Sequence, residues 1–304
     1  MNTAIYNAIT VFIILIIGNR LRKFGIIDLA TSKKLSFVIM YITLPCSILN
    51  SSKGVSLDLS LISLLGLAAV FNLALVFAGY IFYKAGRFRI FAMFNLAGFN
   101  VGNFVLPFMQ NMLSAHAFLG LVFFDLINAL FIFGGSYCIA LVCNPEYAGD
   151  NKVNARMILR ELSKSFPTYA YLIAISLSAL SLEIPKFLDF PLSAIGKANL
   201  FLCMLVIGSN LSFSLNRDDL GIFTKLIVLR YLVAALLAGL CLLLPYDREV
   251  RMLLVVLAFA PVSTINTVLT LRNLTEYVRH SASLIPSSVV ISLVFITLAT
   301  ASFY

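Results

Sequence analysis

Two stretches of this chain set amides, hydroxyls, glycines and prolines inside long apolar runs. The first, M-F-N-L-A-G-F-N-V-G-N-F-V-L-P-F-M-Q-N from Met93 to Asn111, carries Asn95, Gly98, Asn100, Gly102, Asn103, Pro107 and Gln110. The second, Ala258 to Asn273, contains A-P-V-S-T-I-N-T with Pro261, Ser263, Thr264 and Asn266. None of these is a strong acid, base or nucleophile, so the chemistry they offer is hydrogen bonding. Side-chain amides can orient a carboxylate without the cost of burying a full countercharge. A helix interrupted at Gly102, Pro107 or Pro261 would add unpaired N–H groups at a half-helix N-terminus, where partial positive charge favours an anion. The bland alternative is that these groups join neighbouring helices, as Asn, Ser and Thr commonly do in membranes. Ser263 and Thr264 fit either reading; Asn100, beside Gly102 and Pro107, fits a binding site better.

Two ionisable residues share this apolar setting. Asp125 lies about ten residues into one apolar run, and Arg230 lies within another. A carboxylate at membrane depth is expensive and is by default a functional hypothesis: proton carrier, ion ligand or countercharge. The alternative is a structural ion pair with Arg230 or with Lys197, although Lys197 is near enough to a membrane face to snorkel. Arg230 could equally face an anionic substrate. Asp218 and Asp219 read as a helix N-cap rather than an acid pair. His116 and His280 fall at the ends of different runs, and the five cysteines show no metal-ligand spacing, so no metal or other cofactor is expected. No Ser-His-Asp, HExxH or phosphate-loop arrangement is present, which weighs against a membrane enzyme.

The elements that must position these residues follow from composition. The chain has 304 residues, 61% hydrophobic and only 12% charged, where soluble domains carry roughly 25% charged residues. An all-α integral membrane protein is the expected class. The net charge of +9 is dispersed between apolar runs rather than gathered in a patch, so nucleic acid is not an expected partner; the bilayer is. Ten apolar segments emerge, at 3–19, 34–50, 59–83, 88–112, 116–142, 165–182, 190–213, 219–244, 250–271 and 281–303, each near the ~20 residues a span needs. The first reads as a retained span rather than a cleaved leader.

Loops after the odd-numbered segments hold 16 of the 22 Lys and Arg, against four in the other loops (Lys53, Lys186, Arg248 and Arg251). The positive-inside rule then puts both termini outside the cytoplasm. The longest loop, about 144–164, divides the chain into five-segment halves, 1–148 and 164–304, with 149–163 as a cytoplasmic connection. An odd number of spans per half makes the halves inverted repeats. The fourth segment is expected to break over 100–107, and the ninth over 260–267.

These residues resemble the auxin efflux carrier family, which includes plant auxin exporters and bacterial malonate and malate permeases. The resemblance rests on Asn100 and Pro107 at their spacing with Gly102 between, on P-V-S-T-I-N-T-V-L-T-L from Pro261 to Leu271, and on L-V-I-G-S-N-L-S from Leu205 to Ser212. Val105 and Leu106 stand where the family has a glycine before that proline. The resemblance implies ten helices, with helices 4 and 9 broken and crossing near the bilayer midplane. It implies a scaffold of helices 1, 2, 6 and 7 and a moving body of helices 3–5 and 8–10, an architecture shared with bile-acid/sodium symporters. The expected function is secondary transport of a small organic anion across a bacterial inner membrane, by an elevator-type movement, with a homodimer as a further expectation. Asn100, Asn103, Ser263, Thr264 and Asn266 would contact substrate, and Asp125 and Arg230 would serve proton or sodium coupling. A bile-acid-type sodium symporter and a cation/proton antiporter are the alternatives.

Overall fold

The computed structural model describes residues 2–55, 57–147, 155–211 and 220–303. Asp218 and Asp219, expected to cap a helix, lie outside the described residues, as do Lys152 and Arg217 of the basic loops. Thirteen helical elements position the site. They are α1 (Asn2–Lys23), α2 (Leu29–Ser51), α3 (Leu59–Phe82), α4 (Arg87–Leu96), α5 (101–109), α6 (Ala115–Val142), α7 (Ala155–Lys164), α8 (Phe166–Ala179), α9 (Asp189–Ser209), α10 (Leu220–Leu242), α11 (Arg248–Ala258), α12 (Ile265–Asn273) and α13 (Val278–Phe303). No strand occurs among the described residues.

Starts are set by short polar side chains that accept a first-turn N–H. Asp28 accepts from Thr31, Asp58 from Leu61, Ser114 from Ala117 and Asp247 from Val250. Seven helices, α1, α2, α3, α6, α9, α10 and α13, are long and apolar enough to cross a membrane. Their outer faces leave large side chains such as Phe12, Phe82 and Leu232 exposed. In water such a surface would drive aggregation; in lipid it is the appropriate solvent face. The other three apolar segments are shorter: α8 has 14 residues, and the fourth and ninth are each divided into two short helices.

Those divided segments form the core. Ile90 to Leu96 of α4 are all buried, as are Met252 to Ala258 of α11. A helix apolar on every side must be sheathed by protein, and α3, α6, α10 and α13 do this. The breaks fall earlier than the sequence suggested. α4 stops at Leu96, and residues 97–100 are non-helical, with Gly98 at φ +80° where a side chain would be strained. Pro107 is not the breaker. The backbone stays helical through it, the π-turn Val101–Val105 running directly into Leu106–Met109 within α5. The second break is likewise displaced, to 259–264.

The connection read as a loop contains α7, whose charged sequence hid it from a search for continuous apolar runs. Elsewhere packing depends on missing side chains. Across the α1–α9 contact, a Cβ on Gly18 would lie 2.3 Å from the Leu205 carbonyl oxygen, and one on Gly208 2.3 Å from that of Leu15. Gly208→Val should therefore force these helices apart at a cost of about 1–3 kcal/mol, read as a lower melting temperature in detergent. Wild-type melting would show that the contact is not close-packed.

Candidate functional site

The two breaks meet. Phe99 pairs with Val262 in an isolated antiparallel bridge. Around it the Asn100 N–H donates to the Pro261 carbonyl (2.8 Å), and the Ser263 N–H donates to that of Gly98 (3.2 Å). Non-helical backbone at membrane depth survives only where every polar group finds a partner, and here side chains supply them. Asn72 Oδ1 accepts from the Gly98 N–H at 3.0 Å. Asn128 Oδ1 accepts from the Phe99 N–H at 3.0 Å, and its Nδ2 donates to the Phe99 carbonyl at 2.8 Å. Ser288 Oγ accepts from the Val262 N–H at 3.0 Å. Sequence reasoning missed Asn72, Asn128 and Ser288; a polar residue inside an apolar helix, clearest for the isolated Asn72, is the signal that could have marked them.

Arg230 closes the other side. Its guanidinium donates to the Leu96 carbonyl, at the end of α4, and, at 2.8 Å, to the Ala260 carbonyl, two residues past the end of α11. Its Cζ lies 5.1 Å from the Phe99 ring centroid, and the residue is 2% exposed. The cation thus faces two helix C-termini, where partial negative charge accumulates. Asp125 is not its partner. Asp125 accepts from Asn128 Nδ2 (2.8 Å) and from the Tyr171 hydroxyl (2.5 Å), and no salt bridge joins the two residues. The ion-pair reading of Asp125 with Arg230 is therefore corrected, because each has nearer polar partners of its own.

Two cavities flank the crossing. One of about 170 Å³ is lined by Ser36, Met40, Asn100, Asn103, Asn210 and Thr264, with Pro286 and apolar residues of α9 and α13. The other, about 70 Å³, is lined by Asn100, Gly102, Asn103, Asp125, Tyr171, Thr168, Ser263 and Thr264. Asn100, Asn103 and Thr264 border both, at the N-termini of α5 and α12. Among the described residues, no Lys, Arg, Asp or Glu lines the larger cavity. A Cβ on Gly102 would lie 3.3 Å from Asp125 Oδ2, so the bare glycine makes room for the carboxylate. Three π-turns, Ile39–Thr43, Val101–Val105 and Phe131–Gly135, supply lining residues, a distortion often found at functional sites.

The residues anticipated from sequence divide by their contacts. Asn100 is 4% exposed, and its Nδ2 is buried with no hydrogen-bond partner. Ser263 turns its hydroxyl back to the Ile265 N–H, and Thr264 is exposed at the cavity boundary. Asn266 lines neither cavity: its Nδ2 donates to the Phe94 and Ala97 carbonyls at 3.0 and 2.8 Å, bracing the end of α4. Arg230 also lines neither. The arrangement can bind a small polar group through neutral donors and two helix N-termini. No curated protein matches the chain. The profile of the family described as "Membrane transport protein" matches residues 3–300, nearly the whole length of this broken-helix chain, which therefore belongs to that family, the auxin efflux carriers that its sequence resembles.

Proposed function

We propose that this membrane transporter moves a small organic anion, a carboxylate such as malonate, malate or an auxin-like acid, by elevator-type alternating access. In this reading the chain makes ten spans as two inverted five-helix repeats, 1–148 and 164–304, joined by cytoplasmic 149–163. α1, α2, α8 and α9 form the scaffold, and α3–α6 with α10–α13 the moving body. It resides in a bacterial inner membrane with both termini outside the cytoplasm, as the basic-loop bias favours.

The observation that carries the reading is the Asn100 amide. A buried donor without a partner costs about 1–3 kcal/mol, and this one borders two cavities at a half-helix N-terminus. A carboxylate oxygen would satisfy it. The 170 Å³ space suits a small acid; sites for drug-sized ligands run to roughly 300–1,000 Å³. Contacts between the two proposed bodies also fit. Asn7 Nδ2 donates to the Phe108 carbonyl at 2.7 Å, and Gln110 joins Ser47 and Gly196 at 2.6 and 3.3 Å. These close the end that the topology makes external, while the smaller cavity reaches Ser165 and Thr168 at the cytoplasmic start of α8.

Proton coupling through Asp125 has more support than sodium coupling. A bile-acid-type sodium site would need carbonyl oxygens at the breaks, and Arg230 and Asn266 already take those of Leu96, Ala97 and Ala260. A cation/proton antiporter would want paired buried acids, and Asp125 is the only buried acid among the described residues.

Binding of labelled mono- and dicarboxylates to purified protein, with uptake into proteoliposomes under pH or sodium gradients, tests the reading. Asn100→Ala should weaken carboxylate binding by about 1–3 kcal/mol, roughly 5- to 150-fold, with unliganded stability little changed. Asn95→Ala should instead lower stability and spare affinity, because Asn95 bonds Thr270 and Ser281 at 3.1 and 2.7 Å. An Asn100→Ala protein that binds carboxylates normally but melts early would make the amide packing glue.

A further inference from the structure

A groove of about 780 Å³ lies away from the crossing, between α1 and α13. Its α1 wall changes character along the helix. Phe12, Leu15 and Ile16 come first, then Asn19, and then Arg20, Arg22 and Lys23. These positions recur at helical spacing, so one face of α1 runs from apolar to cationic. The α13 wall is Val290, Leu293 and Val294. Phe12 to Lys23 spans about 16 Å of helix axis, close to half of the ~30 Å hydrocarbon thickness. The groove is thus one leaflet deep, with its charges at the depth of the lipid headgroups.

Two further facts identify the occupant. Phe12, Ile16, Val290 and Val294 are exposed, and so are all three cations. Among the described residues none of the three forms a salt bridge. Asp28, in the turn before α2, accepts from the Thr31 N–H and feels the Arg22 charge without forming a salt bridge to it, and Asn19 donates to the Leu211 carbonyl just past α9. We propose that this groove holds an anionic phospholipid, an acyl chain lying along Phe12, Ile16, Val290 and Val294 and the phosphate among Arg20, Arg22 and Lys23. A soluble anion has no use for the apolar wall. A second copy docked here through a two-fold axis would bring its own cationic rim against this one. Because α1 and α13 belong to different bodies in the proposed elevator, the lipid would touch both; that consequence rests on the transport reading, whereas binding does not.

The test uses delipidated full-length protein in detergent, read by melting temperature and native mass spectrometry. Phosphatidylglycerol should raise the melting temperature at concentrations about tenfold or more below those needed for phosphatidylcholine of the same chains, and glycerol phosphate should have no effect. Arg20→Gln/Arg22→Gln/Lys23→Gln should abolish the preference for phosphatidylglycerol. Val294→Trp, which fills the groove without changing charge, should weaken both lipids. The control Arg156→Gln/Arg160→Gln/Lys164→Gln, on exposed cations of α7, should keep the preference. Equal response to the two lipids, a control triple that loses the preference as fully, unaltered binding by Val294→Trp, or glycerol phosphate acting like the lipid would each overturn the proposal.

Discussion

Arg230→Met should cost the protein more stability than any other single change near the crossing. Methionine matches the length of the apolar stem but leaves the Leu96 and Ala260 carbonyls without their donor. Both carbonyls belong to fully buried residues at the two breaks, so water cannot replace the guanidinium. Losing two hydrogen bonds from a charged donor costs about 3–5 kcal/mol in all, a large share of the ~5–15 kcal/mol that holds a typical protein together. The melting temperature should fall by roughly 10 °C, or folded protein should vanish from the detergent extract. Arg230→Lys should be intermediate, since one ammonium cannot reach both carbonyls in the fixed fork that arginine offers. A methionine variant that melts like wild type would mean that the two helix ends are satisfied in some other way. The same contacts explain why Arg230 is a poor candidate to face substrate: its hydrogen-bonding edge is turned to the backbone.

How much of this was legible in the sequence depended on the kind of signal. Glycine, proline and amides inside an apolar run announce irregular backbone, because lipid tolerates none that is unprotected; both broken segments were found this way. Their exact positions were not, because a proline does not always end a helix. Pro107 lies inside the helical stretch 101–109, while Gly98, with its positive φ, makes the turn. The site was half legible. Asn100 and Asn103 stood out beside Gly102, and they do border the cavities. Asn266 stood out equally, yet it braces the end of α4. Residue type shows that a group can hydrogen-bond, but only the folded geometry shows with what. Asn72 and Asn128 are polar residues in apolar runs, but they lie tens of residues from the backbone they hold, so nothing local named their partners. Asp125 and Arg230 were both visible as costly charges, but not that each is satisfied separately.

Asp125→Asn should abolish proton-driven accumulation while leaving substrate exchange intact. The carboxylate sits where the two proposed bodies meet: α6 carries it, and Tyr171 of α8 donates to its Oδ2 at 2.5 Å. As an anion it accepts there and, at 2.8 Å, from Asn128 on its other oxygen. Proton uptake on Oδ2 would turn that oxygen into a donor, so the Tyr171 hydroxyl must rotate to accept or release its hold. The bond that ties α6 to α8 is therefore the one a proton would alter, and Asn128 carries the change directly to the Phe99 backbone at the crossing. Asparagine is close in shape but cannot gain or lose that proton, so it freezes the contact in one state. In proteoliposomes, uptake against a concentration gradient under an imposed pH difference should disappear, while counterflow of labelled carboxylate should persist within a few-fold of wild type. Tyr171→Phe keeps the ring and the packing but removes the donor; it should leave accumulation possible and shift its pH dependence. Accumulation by Asp125→Asn at the wild-type rate would end the proton-carrier role. Loss of exchange together with accumulation, in a variant that still elutes as folded protein, would make Asp125 part of the moving contact itself rather than its proton switch.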